Sequence, residues 1–183
     1  MFSTFEVKKE NGMMIRGRFY EAKQEIKTLI LCHGFTSSML ETSKYAEQLM
    51  QNGISTYIFD FCGGGYQTIS DGDFHSYMTP LTEVDDLCTI VHYVLEKEKK
   101  RQVCVGGCSQ GGFVSSLFAS RNPSLVEKLV LLYPAFCIPD DARSGHMQNI
   151  VFDPGNIPDK VGIMPMQVSG NYPKSVIHMN IYD

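Results

Sequence analysis

Gln102-Val103-Cys104-Val105-Gly106-Gly107-Cys108-Ser109-Gln110-Gly111-Gly112 is the stretch on which the reading of this chain turns. An apolar, β-type run enters Gly107-Cys108-Ser109-Gln110-Gly111, and a helical pattern leaves it from Phe113. That is G-x-S-x-G between a strand and a helix, the context that gives the motif meaning. A serine hydroxyl is a weak nucleophile and must stand clear of its backbone to meet both a base and a carbonyl group. A tight turn holds it out, and small residues on either side let strand and helix approach closely. The helix that follows points free N–H groups and its positive dipole end at the site, which suits an oxyanion. Ser109 is therefore the candidate nucleophile. The competing reading is a glycine-rich turn with an incidental serine, and the rest of the chain decides between them.

Composition narrows the class. With 183 residues, 43% hydrophobic and 20% charged, the chain is expected to form one globular unit with a sizeable core. A formal net charge of -4 gives no electrostatic footprint for nucleic acid or an anionic membrane. The dense basic run Lys97-Glu98-Lys99-Lys100-Arg101 falls at a helix end, where cations suit the dipole. Cys32, Cys88 and Cys104 lie in apolar runs and read as buried thiols. No C-x-x-C pair occurs, so neither a zinc site nor another metal or cofactor is expected. Without a signal-peptide core or a bilayer-length apolar stretch, the expected setting is the cytoplasm.

Working outward, Phe5 to Lys9 and Met13 to Glu21 read as a hairpin around Asn11-Gly12. Lys27 to Cys32 and Ile54 to Phe61 are continuous apolar runs, as in strands buried on both faces. Helices are expected over Thr42 to Gln51 and Leu81 to Lys99, the second with Leu81, Val84, Leu87, Cys88, Val91, Val94 and Leu95 on one face. The motif helix runs to about Arg121, and Val126 to Tyr133 is a sixth strand. Beyond Pro134 prolines, glycines and scattered aromatics break the pattern, as in a lid over a site. The fold class is α/β, a mostly parallel sheet with helices on both faces and a hairpin at its start. The expected organisation is a core over residues 1–136 and a lid over residues 137–183.

Two further turns agree with the motif. His33-Gly34-Phe35 follows a buried strand, and Asp60-Phe61-Cys62-Gly63-Gly64-Gly65 has the form D-x-x-G-x-G. His33 reads as structural rather than as a general base, and Asp60 as a loop-fixing acceptor. Together these pieces resemble the α/β-hydrolase superfamily over essentially the whole chain. Within it the chain resembles bacterial cinnamoyl (feruloyl) esterases, on G-x-S-Q-G-G at Gly107 to Gly112 and Leu131-Leu132-Tyr133-Pro134-Ala135. Asp141 to Gln148 and Phe152 to Asp159 carry the likeness into the lid. The resemblance implies a serine esterase acting through an acyl-enzyme on hydroxycinnamoyl or other small acyl esters. It implies an oxyanion hole from the backbone N–H groups of Phe35 and Gln110. Asp141, Gln148 and Tyr172 would bond ring hydroxyls, with His33 and Gly34 beside the substrate.

In that family the order is Ser, Asp, His, the Asp in a G-x-x-D turn and the His near the C-terminus. Neither segment is found before Asp183. The expectation is a chain that stops short of the last two strands and last helix. His146 and His178, in the lid region, are the histidines that could lie near the pocket. The sixth strand would then be an exposed apolar edge, open to pairing in a homodimer. The alternatives are a monoacylglycerol lipase or serine peptidase of the same fold, and a non-catalytic relative that binds a small ligand or a partner.

Overall fold

The structure is a computed structural model and describes residues 1–147 and 150–181. Its centre is a six-stranded sheet in the order β1-β2-β4-β3-β5-β6. The strands are β1 (Ser3–Lys8), β2 (Met14–Tyr20), β3 (Lys27–Cys32), β4 (Ile54–Phe59), β5 (Val103–Cys108) and β6 (Val126–Leu132). β1 and β2 form the expected antiparallel hairpin, and β2 runs antiparallel to β4. β4, β3, β5 and β6 are mutually parallel. At the hairpin turn Gly12 takes φ +90°, a backbone state open to glycine at little cost.

Three helices cover the sheet: α1 (Met39–Gln51), α2 (Pro80–Lys97) and α3 (Gln110–Arg121). The buried strands sort their side chains with period two. Leu29 and Leu31 of β3 and Ile58 of β4 pack with Met39 and Ala46 of α1. Ile30, Cys32, Tyr57 and Phe59 face the other way, onto Leu87, Ile90, Val91 and Val94 of α2 and Val114 and Phe118 of α3. Because both faces are covered, these strands read as unbroken apolar runs and not as alternating ones.

α1 starts earlier than the sequence reading placed it, at Met39 instead of Thr42. Ser38 caps it by accepting the Leu40 N–H, and buried Asp60 accepts the Met39 N–H at 2.7 Å. The Ser38-x-x-Glu41 spacing was the available signal. α2 starts at a capping box between Thr79 and Thr82, with Pro80 in the first turn. Its buried face is rotated from the expected one: Glu83, Val84, Asp86, Leu87, Ile90, Val91 and Val94 are buried, whereas Leu81, Cys88 and Leu95 are half-buried. Cys88 is thus a half-buried thiol, not the buried one expected, while Cys32 and Cys104 are buried.

After β6 come α4 (Ile138–Arg143), short hairpins of β7 (His146–Met147) with β8 (Ile150–Val151) and β9 (Lys160–Val161) with β10 (Val168–Ser169), and α5 (Asn171–Lys174). Met147, Phe152, Val161, Val168 and Tyr172 pack on Phe74 and Met78 of the segment before α2. Ala142 and Val176 pack on Phe113 of α3. Among the described residues no helix is long and apolar enough to cross a membrane.

The topology fixes where a site can form. From β3 the chain passes to β4 on one side, then crosses to β5 on the other. Beyond the carboxyl ends of β3 and β5 the connections therefore diverge, and such switch points leave a crevice. Cys32 and Gly107 are register partners at those ends, so the turns following both strands meet there.

Candidate active site

Ser109 sits between β5 and α3 with φ 50° and ψ -118°. For a residue with a side chain that conformation costs on the order of 1–3 kcal/mol, and it persists only where the surroundings over-determine it. They do so here. Its N–H donates to the Leu132 carbonyl at 3.0 Å, and its own carbonyl accepts from Gly112, Phe113 and Ala135 at 3.0, 3.1 and 2.9 Å. The hydroxyl does not cap the helix and stays available.

The flanking glycines are required by contact. A Cβ on Gly107 would stand 2.3 Å from the Gly111 carbonyl carbon, and one on Gly111 would stand 2.3 Å from the His33 carbonyl oxygen. Strand, helix and the His33 turn thus touch backbone to backbone. The turn also reaches the serine: a Cβ on Gly34 would lie 3.3 Å from the Ser109 Cβ and 3.9 Å from its Oγ. Gln110 is the first residue of α3, where a backbone N–H has no intrahelical acceptor.

His33 is a correction to the sequence reading, which set it beside the substrate. It is fully buried. Its Nε2 accepts the Phe61 N–H at 3.1 Å, so its Nδ1 carries the proton and donates to the Gly34 carbonyl at 2.9 Å. Burial pushes the imidazole below its ordinary pKa. Both nitrogens are spent on backbone, as the structural reading of this histidine requires. Asp60 is likewise a loop-fixer: its carboxylate accepts the N–H groups of Met39 and Ile69, and its carbonyl accepts from Ser70.

Ser109 opens into a cavity of about 180 Å³ whose wall includes Phe35, Gln110, Ile138, Asp141, His146, Met147 and Tyr172. A cavity of about 150 Å³ can hold a benzene ring, so an aromatic ring fits this one. Of the residues expected to contact a ring hydroxyl, Asp141 and Tyr172 line the cavity, and Gln148 lies outside the described residues. His146 shares the cavity with Ser109, and its Nδ1 is 3.3 Å from the Ser144 hydroxyl. His178 is exposed and does not line it.

Sequence reasoning missed a buried polar chain behind the wall. The Tyr172 hydroxyl donates to Gln110 Oε1 at 2.5 Å, and Gln110 Nε2 donates to Glu83 Oε2 at 2.9 Å. Burial pushes the Glu83 carboxyl well above the usual carboxylate range, and it pushes the Tyr172 phenol up as well. An acidic residue on the apolar face of α2, four residues before Leu87, was the signal in the sequence.

Comparison with known proteins agrees with the fold. Residues 23–152 match the model of the family described as Hydrolase_4, Serine aminopeptidase, S33. Among solved structures, Est1E from Butyrivibrio proteoclasticus with ferulic acid bound is 27% identical over 97% of this chain and 72% of its own, with a TM-score of 0.87. A further Est1E structure aligns at 24% identity over 97% and 70%, with a TM-score of 0.82. DcsB, in complex with its substrate analogue, is 29% identical over 73% of this chain and 46% of its own, with a TM-score of 0.65. No curated protein sequence matches the chain.

Proposed function

From the premise that the chain belongs to the Hydrolase_4 (serine aminopeptidase, S33) family of α/β hydrolases, we propose that it is built as a serine esterase for small aromatic acyl esters. The observation that carries this reading is the placement of Ser109. Its left-handed backbone holds the hydroxyl toward the Gly34 turn, at the mouth of a cavity of aromatic-ring size. The ferulic acid bound to Est1E supports the choice of acyl group.

In this reading the Ser109 Oγ attacks the ester carbonyl carbon as its proton passes to a base. The carbonyl oxygen becomes an oxyanion facing the backbone N–H groups of Phe35 and Gln110. Collapse expels the alcohol, which takes the proton, and leaves the acyl group on Ser109. Water repeats the sequence and frees the acid. Asp141 accepts a hydrogen bond from a ring hydroxyl, and apolar walls from Phe35, Ile138 and Met147 hold the ring. His33 has no free nitrogen to act as base, so His146, which lines the cavity, is the first candidate.

A second reading, an aminopeptidase, is favoured by the family description. Asp141 in the cavity wall could hold an α-ammonium group. One assay separates the readings: hydrolysis of methyl ferulate, p-nitrophenyl butyrate and leucine p-nitroanilide by the chain and by Ser109→Ala. The esterase reading expects ester hydrolysis that falls about 10³-fold or more in Ser109→Ala. Preference for the anilide would move the assignment to the peptidase. Equal rates with and without Ser109 would end the serine-hydrolase reading for this chain. If turnover depends on Ser109 and survives His146→Ala, the base is another group.

A further inference from the structure

Glu83 is 1% exposed, and its Oε1 is buried without a hydrogen-bond partner among the described residues. Its Oε2 accepts from Gln110 Nε2. The same nitrogen lies 3.6 Å from the Met78 sulfur, and Gln110 Oε1 accepts the Tyr172 proton. A thioether accepts weakly and cannot donate. Turning the carboxamide over would set its oxygen against that sulfur and its nitrogen against the Tyr172 proton. Met78 and Glu83 therefore choose one sense of the amide, and the amide chooses one sense of the phenol. Tyr172 has a single proton, already given to Gln110, so toward anything else its oxygen can only accept.

We propose that Glu83 is a positioning residue of the Ser109 site: through the Gln110 carboxamide it fixes Tyr172 as a hydrogen-bond acceptor, and so selects ligands that donate there. The inference rests on the reading of this cavity as the acyl pocket. Three elements meet in the hydrogen-bond chain behind the cavity wall, since Glu83 belongs to α2, Gln110 to α3 and Tyr172 to α5. The residue that follows the nucleophile thus also carries the link to the cavity wall. Burial pushes the Glu83 carboxyl above the usual carboxylate range; Gln, of similar shape and with an oxygen that still accepts, is its closest substitute, and Leu is the variant that removes the link.

The test is binding of 4-hydroxycinnamate and 4-methoxycinnamate by calorimetry, to the wild-type chain, Glu83→Gln and Glu83→Leu. The first acid can donate from its ring substituent and the second can only accept. Wild type and Glu83→Gln are expected to prefer the hydroxy acid roughly tenfold, about one hydrogen bond. In Glu83→Leu the Tyr172 proton becomes free to serve the methoxy oxygen, and the preference should fall to about threefold or less. A merely structural Glu83 would lower stability and leave this ratio unchanged, which would overturn the proposal. Should Glu83→Leu fail to fold, side-chain amide exchange by NMR decides. The Gln110 carboxamide protons should exchange at least about 100-fold slower than those of a free glutamine in wild type and in Glu83→Gln. Exchange at the free rate would overturn the proposal even if ferulate binds. Failure of wild type to bind either acid would end the acyl-pocket reading and ligand selection with it, while amide exchange would still report whether Glu83 holds Gln110.

Discussion

Lys9 and Asp86 meet as a nearly solvent-free ion pair across 77 positions of sequence, tying the β1–β2 turn to α2. The second Asp86 oxygen accepts the Cys62 N–H at 2.7 Å, so one carboxylate anchors the hairpin, the helix and the loop after β4. Burial pushes the Asp86 carboxyl up to about 6, yet beside Lys9 it is charged at pH 8. Removing one partner of a buried pair leaves an uncompensated charge, at about 3–5 kcal/mol. Urea unfolding at pH 8 should show that loss for Lys9→Met. Adding Asp86→Asn should recover most of it, because the amide oxygen still accepts from Cys62. A double variant no better than the single one would mean that the pair is not what holds the hairpin.

Glu83 should write itself into the pH dependence of stability. Its folded pKa is raised above the unfolded value by burial, so between the two the folded state holds a proton that the unfolded state has released. Its contribution is complete below the ordinary carboxylate pKa and is lost as pH rises through the folded one, with a slope of at most about 1.4 kcal/mol per pH unit. Glu83→Gln removes this titration. The stability difference, variant minus wild type, should grow in the variant's favour from pH 5 to pH 8. A difference that stays flat over that range would mean that Glu83 does not titrate with folding.

The fold was legible where burial is two-sided or glycine is obligatory. β3, β4 and β5 announce themselves as apolar runs because helices cover both faces. The Gly107 and Gly111 pattern announces the strand–helix contact because no side chain fits there. The segment after Pro134 was not legible. Its hairpins are two residues per strand, and α4 and α5 have 6 and 4 residues. Such short pieces have little intrinsic stability and form because Met147, Phe152, Val168 and Tyr172 find Phe74 and Met78, far away in sequence. The site was half legible for the same reason. Ser109 carries a local motif, whereas Glu83 and Tyr172 acquire their roles only through Gln110, and His33 loses a substrate role to Phe61 and Gly34.

The strain at Ser109 predicts a conflict between stability and function. A left-handed φ suits glycine, so Ser109→Gly should unfold at higher urea than Ser109→Ala, by about 1 kcal/mol. Both should lack the serine hydroxyl's chemistry. Equal midpoints for the two variants would mean that the turn is not strained by its side chain.

β6 is an edge of the sheet, and Leu129 and Val130 on it are each 41% exposed. A strand edge carries unpaired N–H and C=O groups, and apolar side chains beside it favour pairing with a like strand. We therefore propose that two copies pair through this edge as a homodimer. Sedimentation velocity over a hundredfold range of concentration should show self-association of wild type that weakens in Val130→Lys, since lysine is a common means of blunting an edge. The substitution is exposed and should cost at most about 0.5–1 kcal/mol of stability. Two outcomes would remove the edge from consideration: a monomer at every concentration, or association that Val130→Lys leaves untouched.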